Sequence, residues 1–380
     1  MKIVQVVQEF SLKGGVECVS FELQRAWNEL GVQSEVVAGT APGYEYRTDV
    51  TLLKAPFRDI ATRGSKFSKY VGRMTVVPAF TISVTRYLRK HRKSDLILSH
   101  GDSLYGDALV IHAVNKASLK AKRDIGNYGW ILNPMHWWVG TRDRWMIGGL
   151  RYKRYIAISK RVAHEIQTLY GVPEDRITII PNGVNVDRFT PNGPGRAQIR
   201  VEFGIPRRAP VLLFIGHEFD RKGLVFAIRA LGLLPNSYYL MVVGNDNPEP
   251  YRTEIESIGA SNRVLFTGAR QDIPAICRAA DAFVFPTNYE AFGLVTMEAL
   301  ASGLPIIATS VGGIEDYLKD GENGYFITRD PVQIAEAIQR TFQSPEHRTM
   351  LAVNARKTAM HYTWHEIAKQ YYHLLTSLKE

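Results

Sequence analysis

A chain of 380 residues is too long for one ordinary hydrophobic core, so two domains of similar size are expected. Its 45% hydrophobic and 22% charged content are those of a soluble globular protein, and no apolar run approaches transmembrane length. Cys18 and Cys277 lie far apart with no secretory signal, which points to a reduced, cytosolic protein; the formal charge of +10 calls for an anionic partner, whether nucleic acid, anionic lipid or a phosphorylated substrate.

Residues 2–7 form an apolar run interrupted by Gln5 and read as a first buried strand. A loop over 8–15 and a helix from about 16 to 30 follow, with Gly31 as the stop and 32–38 as the second strand. A strand, a glycine-rich loop and a helix in that order are how α/β proteins present phosphate-binding amides. Here the loop is Lys13-Gly14-Gly15-Val16-Glu17. It lacks G-x-G-x-x-G, which disfavours a dinucleotide site, and its glycines also fit a plain tight turn.

The run from Lys54 to Lys93 is basic, with Asp59 its one acid and Phe57, Phe67, Tyr70, Phe80 and Tyr87 interleaved. Such a run is either a solvated helix face or a surface for anionic lipid headgroups or a lipid-linked diphosphate. Strands at 95–100 and 108–112 each end in a histidine, His100 and His112. That is where parallel sheets place their sites, although a histidine at a strand end is also a common structural residue. Trp130, Trp137, Trp138 and Trp145 gather among Arg142, Arg144 and Arg151 as either core or an interfacial rim. A strand at 155–159, a helix at 160–170 closed by Gly171, and a strand at 177–180 complete this half.

Residues 190–195 are a linker by composition, and a second α/β pattern begins at 211–215. Arg221 and Lys222 follow that strand beside a helix start, as an anion site or as ordinary loop cations. Strands at 239–243 and 264–266 lead into glycine-containing loops. The organising stretch is 281–310: a strand at 282–286, a loop at 287–292, a helix from Gly293 stopped at Gly303-Leu304-Pro305, and a strand at 306–308. Glu290 lies in the loop and Glu298 in the early turns of the helix, so both can face the crevice at the strand's carboxyl end. The amides near 292–295 suit a diphosphate or a sugar oxygen. Glu298 also reads as a surface acid complementing the helix dipole.

Glu290-Ala-Phe-Gly-Leu-Val-Thr-Met-Glu298, followed by Ala-x-Gly-x-Pro and by Val311-Gly312-Gly313, resembles the E-x7-E signature of retaining GT-B glycosyltransferases of family 4, the group 1 type. Arg221-Lys222-Gly223, the run DLILSH, and the series YGVPEDRITIIPNGVNVDRF are similar to that family as well. The resemblance implies an α/β GT-B fold, in which two Rossmann-like domains with parallel sheets face a central cleft. An N-terminal acceptor-side domain would cover 1–187 and a C-terminal donor-nucleotide domain 188–361, with a helix at 362–380 crossing back to the first.

The same resemblance implies residue roles. Gly14 and Gly15 would approach the donor phosphate and sugar, and His112 would stand beside the sugar. Arg221 and Lys222 would grip the diphosphate, and Arg270 to Ile273 would lie against the base. Glu290 would meet the sugar or its developing charge, Glu298 the ribose hydroxyls, with Ala291, Phe292, Gly293 and Leu294 completing the donor loop. His112, Glu290, Arg221 and Lys222 form the expected catalytic set. Ala113 stands where the family usually carries Asp.

The expected reaction is retaining transfer of a hexose from a nucleotide-diphosphate sugar, UDP-hexose first and GDP-mannose second. The acceptor is a saccharide, lipid-linked, in bacterial exopolysaccharide or lipopolysaccharide synthesis. The enzyme is expected in the cytoplasm, peripheral to the inner face of the membrane through the anionic-lipid contact of 54–93. As the glycosidic bond breaks, the diphosphate gains charge that pre-set cations and amides stabilise. No D-x-D occurs, so no cofactor or metal ion is expected. Nucleic acid is not an expected partner. A basic nucleic-acid-binding protein, a non-catalytic nucleotide-sugar-binding relative and a nucleotide-sugar epimerase on the same fold stand as alternatives; Ala113 favours the second.

Overall fold

The computed structural model describes residues 2–54, 66–124, 126 and 128–379, with the backbone alone at 66–73 and Leu132. The chain folds as two compact units, Met1–Gly183 together with Trp364–Glu380, and Val184–Thr363.

In the first unit, seven short apolar runs make one sheet: β1 (Ile3–Glu9), β2 (Ser34–Thr40), β3 (Val50–Leu52), β4 (Leu96–Ser99), β5 (Ala108–Ile111), β6 (Arg154–Ala157) and β7 (Ile177–Ile179). Their order is β3-β2-β1-β4-β5-β6-β7, and every pairing is parallel. A parallel sheet needs cover on both faces, which is why its strands read as continuous apolar runs. The long helix Lys66–His91 lays Phe80, Val84 and Leu88 against Val4, Val6, Val37 and Ile97. Helix Gly15–Glu29 packs against the chain's last helix, Trp364–Ser377, where the Trp27 indole donates to the Ala368 carbonyl at 2.9 Å and meets Tyr371 edge-on. The C-terminal helix is therefore part of the first unit.

The second unit repeats the plan with β8 (Val211–Ile215), β9 (Tyr239–Val243), β10 (Val264–Gly268), β11 (Ala282–Phe285), β12 (Ile306–Thr309) and β13 (Gly324–Ile327). The order is β10-β9-β8-β11-β12-β13, again parallel throughout. In each sheet the strand order reverses once, between β1 and β4 and between β8 and β11. Loops leaving the carboxyl ends there diverge to opposite sides and open a crevice, the usual ligand position in such sheets.

The crossings fall at 183/184 and 363/364, against 187/188 and 361/362 from sequence. Residues 184–189 are held in the second unit by long-range bonds. Val184 N donates to Tyr362 O at 2.7 Å, and the Arg356 guanidinium donates to Val186 O and Phe189 O. Strand β3 has no counterpart in the sequence reading, because three residues between polar turns carry too little pattern; pairing with Val36–Ala38 makes it a strand.

The basic run divides. Residues 55–65 and the side chains of 66–73 lie outside the described residues. Of the rest, Phe80 is core rather than surface, and Arg92 is tied to the buried Glu35 at 2.6 Å, leaving Lys54, Arg86, Arg89, Lys90 and Lys93 exposed. Among the described residues no helix is long and apolar enough to cross a membrane.

Candidate active site

In the second unit the site grows from the reversal between β8 and β11. After β8 the chain makes a single helical turn, Phe219–Lys222, entered by Glu218 at φ 56° and left by Gly223 at φ 77°. A non-glycine residue in the left-handed region is uncommon and marks a constrained loop. Asp246, just beyond β9, accepts from Phe219 N at 2.7 Å and fixes the start of the turn. Arg221 and Lys222 thus sit in the last turn of one short helix, with helix Leu224–Gly232 beginning after Gly223. Any side chain at Gly223 would overlap the Pro286 carbonyl oxygen, so glycine lets the turn lie directly on the strand-end loop that carries Glu290.

That loop is pinned from several directions. Asn288 N donates to Arg221 O at 3.0 Å, and the Arg221 guanidinium donates to Tyr289 O at 2.6 Å. On its other side, Gly313 N donates to Ala291 O and the Tyr317 hydroxyl to Phe292 O at 2.8 Å. Gly312, at φ 56°, has room for no Cβ because the Glu290 carbonyl occupies the place. The outcome is a direct ion pair between the Lys222 ammonium and the Glu290 carboxylate. Lys222 is only 7% exposed and lies over the Phe285 ring, 4.8 Å from its centroid. Burial pushes its pKa down, against the pull of the Glu290 carboxylate.

Helix Leu294–Ala301 begins at Gly293, in the left-handed conformation, and no side chain caps it. Its first amides are thereby left to an incoming anion or sugar oxygen. Ala291 and Phe292 are buried, Phe292 stacking edge-on with Tyr317, so they can meet a ligand only through backbone; Leu294 is half-buried. Glu298 lies a turn further along, on the side of the buried Cys277, whose thiol is pushed up to about 12 by burial and by the Glu298 charge. The two acids of the E-x7-E pair therefore sit in different surroundings, Glu290 on a cation and Glu298 beside helix Ile273–Ala279. Ile273 is the half-buried first residue of that helix. Arg270 is held between Asp272 and Glu202 at 2.8 and 2.6 Å, so its guanidinium is already engaged by two carboxylates.

In the first unit, Gly14 caps helix Gly15–Glu29 at φ 90°, with the Glu17 carboxyl folded over it. Burial raises Glu17, and Glu9 and Asp102 add to the effect, so this helix start looks onto acids rather than cations. His112 directly follows β5, half-buried, and its Nε2 lies 2.9 Å from Nδ1 of His100. Burial lowers both rings, His112 to about 4, so both are neutral at pH 7. They line a cavity of about 260 Å³ with Asn115, Arg142 and Asp143, and Ala113 beside them is exposed and carries no acid. Trp137 is 65% exposed and Trp145 37%, while Trp130 and Trp138 are half-buried, so none of the four belongs to the core.

Sequence reasoning missed Glu218, Asp246 and Tyr317, and took Arg142 only as one cation among the tryptophans. Glu218 and Asp246 follow β8 and β9, and position at a strand end was the available signal; Tyr317 left none. Among the described residues no three His, Cys, Asp or Glu side chains converge as metal ligands.

Residues 13–188 match the model of Glycosyltransferase Family 4 and residues 195–358 that of Glycosyl transferases group 1. A D-inositol 3-phosphate glycosyltransferase of Xylanimonas cellulosilytica is 33% identical over 225 residues, 56% of this chain and 54% of that protein. Lipopolysaccharide glucosyltransferase WaaG of Escherichia coli K12 is 32% identical over 56% of this chain and 58% of its own length. The matched stretches thus span little more than half of these relatives. A crystal structure of WaaG superposes with a TM-score of 0.78 at 21% identity, covering 98% of this chain and 99% of that one. Anabaena HepE, solved with UDP and glucose, does so at 0.74 and 20%, covering 99% and 100%. These likenesses give the fold, that of the GT-B glycosyltransferases.

Proposed function

For a chain that belongs to the glycosyltransferases of group 1 and family 4, we propose retaining transfer of a hexose from a nucleotide-diphosphate sugar to a saccharide acceptor. UDP-hexose is the first donor and GDP-mannose the second. The acceptor is a lipid-linked saccharide of exopolysaccharide or lipopolysaccharide synthesis, reached by a cytoplasmic enzyme at the inner membrane face. The observation that carries this reading is the convergence of Arg221, Lys222 and Glu290 at the β8–β11 reversal, next to the uncapped helix start at Gly293. Two cations and a set of amides are what a departing diphosphate needs, because they are in place before its charge develops.

In this assignment Lys222 and Arg221 take the diphosphate and Glu298 the ribose. Glu290 holds Lys222 until the donor arrives and then faces the sugar. His112 serves the sugar as a neutral hydrogen-bonding group. Gly14 and Gly15 approach it through backbone alone, and Arg270 with Ile273 frame the base. No D-x-D is present to bridge a divalent ion, so the two cations carry the leaving-group charge in a metal-independent step.

The test is nucleotide release from UDP-glucose, then from GDP-mannose, in excess EDTA, with the product anomer read by NMR. Release from neither donor overturns the reading, and activity abolished by EDTA and restored by magnesium or manganese overturns its metal independence. Ala113 favours one second reading, a nucleotide-sugar-binding protein without turnover. Tight donor binding without slow hydrolysis would select it.

A further inference from the structure

A line of buried polar groups runs from His112 into the first unit and has no part in the mechanism above. His112 Nε2 meets His100 Nδ1 at 2.9 Å, and His100 Nε2 meets Gln5 Oε1 at 2.9 Å. Gln5 Nε2 donates to Gln24 Oε1 at 3.0 Å and to the Ser20 carbonyl at 3.4 Å. Gln24 Nε2 in turn donates to Asp49 Oδ2 at 3.0 Å, to Ser34 and to Asn28. Asp49 is held ionised, its pKa lowered first by Arg47, which bonds both its oxygens. Gln5 and Gln24 are fully buried and His100 is 5% exposed, so the inner links cannot turn to water instead.

The direction of every link follows from its far end. The Asp49 carboxylate and the Ser20 carbonyl accept and cannot donate. Gln24 must therefore point its amide nitrogen at Asp49 and its oxygen at Gln5. Gln5 must point its nitrogen at Ser20 and Gln24, which turns its oxygen to His100. His100 must then carry its proton on Nε2. With that ring neutral, its Nδ1 is a lone pair, and the hydrogen of the His112–His100 bond belongs to His112.

We propose that Gln24, Gln5 and His100 are positioning residues that hold His112 as the Nε2–H tautomer, leaving its Nδ1 as a hydrogen-bond acceptor. Nδ1 makes no hydrogen bond among the described residues, and the ring lines the cavity with Asn115 and Arg142. His112 is then set to take a hydrogen from a hydroxyl and has none to give on that side. The sugar as the bearer of that hydroxyl rests on the donor reading above; the tautomer does not. A relay of this kind also explains Gln5, a polar residue in the middle of a buried strand.

The test is ¹⁵N NMR of histidine-labelled protein, reading which nitrogen of the His100–His112 pair bears the shared proton through coupling across the bond. His112→Gln assigns the signals. In the wild type the proton is expected on His112 Nε2, with Nδ1 bare. Gln5→Met removes the acceptor from His100, so the bond should reverse: His100 donates from Nδ1 and His112 becomes the Nδ1–H form. Gln5→Glu keeps an oxygen towards His100, as carboxylate or acid, and should restore the wild-type direction. If Gln5→Met does not fold, the wild-type spectrum decides alone, since the direction of the shared proton is read there without any variant of Gln5. A shared proton on His100 Nδ1 in the wild type, or a Gln5→Met spectrum unchanged from it, overturns the proposal. Failure of the donor reading would appear separately, as absent binding of UDP-glucose with the tautomer intact.

Discussion

Lys222 and Glu290 form an ion pair although 68 residues separate them, because their loops leave the two strands between which the sheet order reverses. On the proposed assignment the pair makes the diphosphate cation and the sugar-side carboxylate one unit, and a donor phosphate must compete with Glu290 for the same ammonium. Glu290→Gln is therefore expected to tighten UDP binding by about 1–2 kcal/mol, the scale of a charge-assisted bond, while depressing transfer. Calorimetry with UDP reads the first effect and nucleotide release the second. Weaker UDP binding in Glu290→Gln would show that Glu290 supports the phosphate site and does not compete with it.

Gly223→Ala places a methyl into the Pro286 carbonyl and forces an L-residue to φ 77°. The left-handed conformation alone costs roughly 1–2 kcal/mol, and the overlap adds to it. Thermal stability should fall and UDP affinity should fall further, since the turn carrying Arg221 and Lys222 must lift off the loop. A variant with both properties unchanged would mean that the turn has other room to move.

Glu35 links the sheet to its basic flank. It is 3% exposed on β2 and meets Lys2, Arg92 and Thr51. Burial pushes its pKa up, but Lys2, Thr51 and Arg92 together outweigh that, and the net shift is downward from 4.5. A carboxylate depressed in the folded state contributes stability above its unfolded pKa and loses it as pH falls through the folded value. Glu35→Gln should thus be destabilised at pH 7 by about 1–3 kcal/mol. Its gap from the wild type should close as pH drops below 4.5. Denaturant melts at pH 7, 5 and 3 check this; a gap independent of pH would assign the loss to packing.

Much of the second unit is legible in the residues. β8 is an unbroken apolar run between Pro210 and Gly216 and β9 one that ends at Gly244, and the strand–loop–helix–strand at 281–310 reads directly because each break carries its own glycine or proline. The contacts that give those residues their roles are not legible. Nothing local in Glu290 announces Lys222, and Arg270 reads as a free cation until Glu202 and Asp272 close on it. Gln5 reads as a flaw in a strand, because its partners come from two other places in the chain, His100 beyond β4 and Ser20 with Gln24 on helix Gly15–Glu29. Long-range polar pairing has no period, so it leaves no trace in a pattern.

Membrane contact, if it uses the 54–93 run, must rest among the described side chains on Lys54 and on the four at the helix end, Arg86, Arg89, Lys90 and Lys93, since Arg92 is spent on Glu35. Each basic residue near an anionic surface gains about 1 kcal/mol, within a Debye length. Changing those four to Gln should lower sedimentation with anionic vesicles at low salt and leave UDP affinity intact. Equal sedimentation with neutral and anionic vesicles would make this a solvated face and favour a soluble acceptor.

The central claim is that Lys222 and Arg221 receive a nucleotide diphosphate. It is tested most directly by thermal shift with UDP, GDP and ADP on the wild type and on Lys222→Ala. A ligand that binds only the folded chain stabilises it by about 2.7 kcal/mol at a hundredfold excess over its dissociation constant. One of the three should raise the wild-type Tm in a concentration-dependent way, with most of that shift lost in Lys222→Ala. No shift from any of the three, or an equal shift in the variant, would contradict the account.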